Sequence, residues 1–152
     1  MKLWIPIILF AGIVILSGCV SNAAEAPNGS GNNSTAQNTI SVPLNSVGTN
    51  AKWLEYESGG IKIRFFAVKA SDGSIKTAFD ACDVCYVKKK GYRQEGNFMV
   101  CNNCGKRFAI DSLGTENKNP GGCWPGYLPN KIVGDSVVIE KADLENGGWK
   151  FA

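Results

Sequence analysis

The spacing of the cysteines constrains this chain more than any other feature. Cys82-Asp-Val-Cys85 and Cys101-Asn-Asn-Cys104 are two CxxC pairs with fifteen residues between them, and Cys123 follows after eighteen more. A CxxC turn aims two sulfurs and the neighbouring backbone N–H groups at one point. Two such turns can wrap a cation tetrahedrally, and their spacing falls in the range of four-cysteine metal sites. The 152 residues include no histidine. That excludes Ser-His-Asp and Cys-His catalysis, CxxCH haem attachment, blue-copper sites and Rieske clusters, each of which needs an imidazole. Any metal chemistry here therefore runs on thiolate sulfur. No catalytic constellation remains, so the chain reads as a binding or electron-carrying protein and not an enzyme. Its net charge of +3 lacks the strongly basic stripe of a nucleic-acid surface.

The N-terminus reads as an address and an anchor. Lys2 precedes an apolar run from Leu3 to Leu16, interrupted by Pro6 and Gly12. At 14 residues the run is shorter than the ~20 a spanning helix needs and suits a secretory signal. It ends in Leu16-Ser17-Gly18-Cys19, which resembles a prokaryotic lipobox. In such proteins the cysteine thiol takes a diacylglyceryl group and the chain is cut before it, and two acyl chains hold a protein on a membrane. An uncleaved hydrophobic anchor is the alternative, and both readings place the remainder outside the cytoplasm. Residues 1–18 are thus read as the signal and 19–39 as the lipidated Cys19 with a polar, small-residue tether. The tether's three Asn-x-Ser/Thr sequons, at Asn28, Asn32 and Asn33, are as well explained by an Asn-rich composition. Residues 40–152 form the folded domain.

In that domain the patterning is β-like, and no segment sustains a helical period. Ile40–Leu44 alternates but contains Pro43, which suits an edge strand. Lys52–Glu57 ends at a Ser58-Gly59-Gly60 turn, and Ile61–Val68 places Ile61, Ile63 and Phe65 on one face. Ser71-Asp72-Gly73 connects to a strand over Ser74–Phe79, giving a hairpin. Between the cysteine pairs, Tyr86-Val87, Lys88–Gly91 and Asn97–Val100 read as strand, basic turn and strand. That is the layout of a two-knuckle site of the zinc-ribbon or rubredoxin type. Ser136–Glu140 reads as a strand and Lys141–Glu145 as a helical turn, and Trp149–Phe151 is expected to close the sheet. The fold class is mainly β, a small single domain.

Several chemistries fit the pairs: iron, as a cluster or a single ion; structural zinc; two disulfides, as befits an exported protein; or a thioredoxin-like redox pair, which lacks its βαβ surroundings. Cys123 favours iron, because a tetrahedral zinc saturates with four cysteines. It sits in a Gly- and Pro-rich loop, Asn119–Pro129, of the kind that brings backbone N–H groups to cluster sulfur. The bland alternative is a buried thiol acting as a small hydrophobe. Gly105 permits a left-handed turn beneath the second knuckle. Asp80 and Asp83 are read as hydrogen-bonding residues more than as oxygen ligands, and Met99 as packing. Lys88–Lys90 is a solvated turn or a docking patch for an acidic partner or an anionic headgroup. Tyr86, Tyr92, Phe98, Phe108 and Trp124 are expected to shield the sulfurs from water.

The segments Lys62–Lys69, Ala78–Tyr86, Lys90–Gly96, Met99–Gly105 and Gly121-Gly-Cys123 together resemble the FtrD-like family of membrane-associated iron–sulfur proteins, over roughly Ile40 to Ala152. The resemblance implies Cys82, Cys85, Cys101, Cys104 and Cys123 as metal ligands. It further implies an iron–sulfur cluster or mononuclear iron, and a role in electron transfer or iron uptake beside a redox or iron-permease partner. A structural zinc module on the cell surface is the competing function.

Overall fold

The computed structural model describes residues 38–119 and 121–152. The signal reading of 1–18, the lipidated Cys19 and the tether up to residue 37 lie outside the described residues. The described residues form ten strands: β1 (Thr39–Pro43), β2 (Lys52–Ser58), β3 (Ile61–Lys69), β4 (Ile75–Cys82), β5 (Tyr92–Glu95), β6 (Phe98–Cys101), β7 (Arg107–Ala109), β8 (Pro125–Tyr127), β9 (Lys131–Val133) and β10 (Ser136–Glu140). One short helix, α1 (Lys141–Gly147), follows. The strands form three antiparallel sheets ordered β2-β3-β4-β8, β5-β6-β7 and β1-β10-β9. The mainly β, single-domain reading holds.

The four-stranded sheet is the wall on which the rest is built, because β3 and β4 are apolar on both faces. Phe66 and Val68 of β3, with Ala78 and Cys82 of β4, point to one side. There they meet Tyr92, Met99, Cys101 and Phe108 of the β5-β6-β7 sheet. Ile63 and Phe65 of β3, with Phe79 and Ala81 of β4, point to the other side and meet Ile139 of β10 and Leu144 of α1. The period of two along a strand thus divides one run of sequence between two cores. Phe65 and Phe66 are both fully enclosed, each contributing about 1.5–3 kcal/mol of burial. Cys82, Cys85, Cys101 and Cys123 belong to the first core, so these four thiols gather on one face of the wall.

Pro43 does lie on an edge strand, since β1 pairs with β10 alone. Two expectations are corrected. Tyr86-Val87 is not a strand: Cys85–Lys88 forms a 3-10 turn ending at Lys89, whose left-handed φ of 51° reverses the chain. The first strand of the ribbon is instead Tyr92–Glu95, which starts only after Gly91 has completed that reversal. Trp149–Phe151 does not close a sheet either, because Gly148–Lys150 continues from α1 as a 3-10 turn.

Gly147 marks where helix and wall touch most closely, and a Cβ there would enter the ring of Phe79. Replacing a helical glycine by alanine ordinarily stabilises by about 1 kcal/mol. Here Gly147→Ala is expected to destabilise by about 1–3 kcal/mol through overpacking, read as a lower denaturant midpoint. A higher midpoint would show that α1 is free to move off the wall.

Candidate metal centre

Each cysteine pair sits where a strand of the first core runs out. β4 ends on Cys82, whose Sγ accepts the backbone N–H groups of Val84 (3.4 Å) and Cys85 (3.3 Å). β6 ends on Cys101, and its turn is closed by Gly105 N–H to the Cys101 carbonyl (2.9 Å) and Cys101 N–H to the Lys106 carbonyl (3.0 Å). Gly105 has the expected left-handed φ, +74°. The third segment arrives from the opposite direction. β8 pairs with β4 through an irregular register between Ala78–Tyr127 and Cys82–Pro125, which sets Cys123 beside Cys82. Asp83 N–H donates to the Trp124 carbonyl (3.0 Å), and the Asn117 amide donates to both the Gly122 carbonyl (2.9 Å) and the Asp83 carboxylate (3.2 Å).

These ties bring the sulfurs of Cys82, Cys85, Cys101 and Cys123 within 4.8 Å of one another. Cys104 is not one of that four, although its sulfur is 3.7 Å from that of Cys123. The tightest set is therefore not the two CxxC pairs, because Cys123 stands where the spacing alone puts Cys104. All five thiols are free, with Cys82 and Cys101 buried and Cys104 exposed. A disulfide-stapled domain is not what is seen.

Cys82 and Cys123 share the shortest contact, 2.6 Å between sulfurs, and they titrate in opposite directions. Burial raises the Cys82 thiol, but the Cys123 thiol and the N–H groups of Cys85 and Val84 outweigh burial and lower it. Burial, with the sulfurs of Cys82 and Cys104, drives Cys123 far upward. Of the two, Cys82 is thus the one that gives up its proton more readily. Cys104 is lowered, chiefly by the Lys106 backbone N–H.

The neighbouring polar residues serve geometry. Asp80 Oδ1 accepts the Tyr92 N–H (2.6 Å), joining β4 to β5, and Arg64 lies 3.6 Å from its other oxygen. A Cβ at Gly91 would collide with this carboxylate. Asp83 pairs with the buried Lys150 at 2.9 Å, so the C-terminal turn is anchored to the first knuckle. Sequence reasoning missed Lys150 and Asn117, since a contact across 67 residues leaves no local pattern. Met99 is fully buried and packs, as expected. Of the five aromatics, Tyr92 and Phe108 are buried beside the sulfurs, and Trp124 packs edge-on to Phe108. Tyr86 instead meets Trp149, and Phe98 is exposed beneath the Arg107 guanidinium. Phe98 does not shield the site, because the pleat of β6 aims it away, whereas Tyr86 lines the recess over Cys82, Cys85 and Cys101.

The family model described as "Membrane iron-sulfur containing protein FtrD-like" matches residues 47–151. The chain belongs to this FtrD-like family. No curated protein and no solved structure matches it. The family description associates its members with the membrane; among the described residues no helix is long and apolar enough to cross one.

The residues of this FtrD-like chain fit an iron–sulfur group. The donor set is soft thiolate throughout, and backbone N–H groups already point at Cys82 sulfur. One further group faces the sulfurs: the Tyr92 hydroxyl is fully buried, meets no partner at full hydrogen-bond geometry among the described residues, and has the Cys82 sulfur as an acceptor within its electrostatic reach. It lies in the field of Cys82, Cys123 and Cys101, and burial together with these sulfurs pushes its pKa far up, so it stays a neutral donor. A buried hydroxyl that is poorly satisfied is costly, and a more electron-rich Cys82 sulfur would satisfy it better. Hydrogen bonds to sulfur favour the reduced state. Tyr92→Phe should therefore lower the reduction potential of the loaded protein. It should leave the unfolding midpoint of the metal-free protein unchanged or raised. An unaltered potential would place the hydroxyl out of reach of the bound group.

Proposed function

We propose that this FtrD-like chain is a lipid-anchored electron carrier on the outer face of the cytoplasmic membrane, holding an iron–sulfur group and serving iron uptake. The observation that carries this reading is the convergence of Cys82, Cys85, Cys101 and Cys123 within 4.8 Å. The bound group supplies one-electron redox chemistry. The protein supplies thiolates on two strand ends and a third loop, N–H donors to sulfur, and a wall of Phe66, Phe108 and Trp124 against water. Without histidine, and with the clustered thiols committed to the metal, the reading is a carrier and not an enzyme.

The ligand assignment is specific. Cys82, Cys85, Cys101 and Cys123 are the principal ligands, and the exposed Cys104 is a fifth thiol in reserve. After anaerobic purification, Cys123→Ser is expected to lose as much iron and visible absorption as Cys82→Ser, while Cys104→Ser keeps most of both. The reverse order, with Cys104 essential and Cys123 dispensable, would return the site to a plain pair of CxxC knuckles.

One observation favours a second reading. A tetrahedral ion with metal–sulfur bonds of about 2.3 Å spaces its ligands by about 3.8 Å, which four sulfurs within 4.8 Å can adopt around a single iron or zinc. Acid-labile sulfide separates the readings: a cluster contains it, a mononuclear ion does not, and zinc is colourless as well. The anchor is tested on its own. Cys19→Ala is expected to move the protein from the membrane fraction to the soluble one; retention at the membrane would make the apolar run itself the anchor.

A further inference from the structure

We infer that the knuckle end of the domain is a docking face for an acidic redox protein. The inference rests on the electron-carrier reading above. From Val84 to Gln94 the chain carries Lys88, Lys89, Lys90 and Arg93 and no acid, and from Val100 to Ile110 it carries Lys106 and Arg107 and no acid. For a chain with 16 cations and 13 acids, that is a local excess at two segments that supply three of the five thiols, Cys85, Cys101 and Cys104. Of these cations only Arg93 and Arg107 pair with a carboxylate, both with Glu95. The side chains of Lys88, Lys89, Lys90 and Lys106 make no ion pair among the described residues.

The lysine corner is built and held. Lys89 is the one non-glycine residue with positive φ among those described, a strain that persists only where surroundings impose it. Its carbonyl accepts from Arg64 (3.3 Å), and the Lys90 carbonyl accepts from Asn102 of the second knuckle (3.0 Å). The corner is thereby fastened to β3 and to the second cysteine turn. Lys89, Lys90 and Arg64, the last paired with Asp80, line one recess together with Cys82, Cys85 and Cys101. Beside it, Val84 is 46% and Val87 61% exposed, an apolar spot at the edge of the first knuckle. Lysines around a small apolar spot over the electron-carrying sulfurs fit a partner with a carboxylate ring around its own redox centre. Opposite charges steer such an encounter and fix its orientation.

The test follows one electron from the dithionite-reduced, iron-loaded protein to the ferric haem of cytochrome c. Two forms of the acceptor are compared: the native basic form and the same protein made acidic by succinylation of its lysines. At low ionic strength the acidic form should be reduced about tenfold or more faster, within the range of electrostatic steering. The difference should vanish at about 1 M salt, where the Debye length is about 3 Å. Lys88→Gln/Lys89→Gln/Lys90→Gln should abolish most of the advantage while leaving the visible spectrum, and hence the site, unchanged. Equal rates for the two cytochromes, or a triple variant as fast as the parent, would overturn the docking face. So would anionic phosphatidylglycerol vesicles that retain the parent but not the variant with cytochrome rates unaltered, since the lysines would then serve lipid. Failure to reduce either cytochrome would instead refute the electron-carrier reading itself, and the docking face with it.

Discussion

The organising constraint of this domain is repulsion between sulfurs. Four of them lie within 4.8 Å of one another, and a pair of thiolates ~4 Å apart repels by about 4 kcal/mol at an effective dielectric of about 20. Four thiolates form six such pairs. Without a cation the site relieves this by keeping protons, and burial beside the other sulfurs makes Cys123 the thiol least ready to lose its own. With a cation the protons leave, and the repulsion becomes attraction toward a common centre. Metal affinity and the compactness of the first core are therefore one quantity, and both should fall in acid as protons compete for the thiolates.

The remainder of the structure makes that crowding possible. The four-stranded wall is apolar on both faces, so β4 can be gripped by α1 and β10 behind while it presents Cys82 in front. The β5-β6-β7 sheet lies on the front face and brings Cys101. The third segment is held by polar ties, the Asp83 backbone to Trp124 and the Asn117 amide to Gly122 and Asp83. Lys150, buried and paired with Asp83, carries the constraint to the last residues of the chain. Breaking a buried pair by removing one partner typically costs about 3–5 kcal/mol, so the chain's C-terminus is as much part of the sulfur site as its knuckles.

Much of this was legible in the sequence because cysteine spacing and strand alternation are local signals. Ile61–Val68, Ser136–Glu140 and the hairpin at Asp72-Gly73 follow from period-two patterning and turn chemistry, and the five thiols from their spacing. What escaped was short or distant. β7, β8 and β9 have three residues each, too few for any period to register. Tyr86-Val87 carries β-favouring side chains, but the first knuckle needs its chain reversed within four residues, and tertiary geometry overrode the propensity. Which sulfurs lie closest together was also hidden. Spacing pairs Cys101 with Cys104, while the β4–β8 register, formed across more than forty residues, substitutes Cys123.

Iron K-edge X-ray absorption on the anaerobically purified protein tests the central claim most directly, because it reports the atoms around the metal without perturbing the thiols. A first shell made only of sulfur is the predicted result. Oxygen or nitrogen in that shell, or an absence of iron from the purified protein, would contradict a centre assembled from these cysteines.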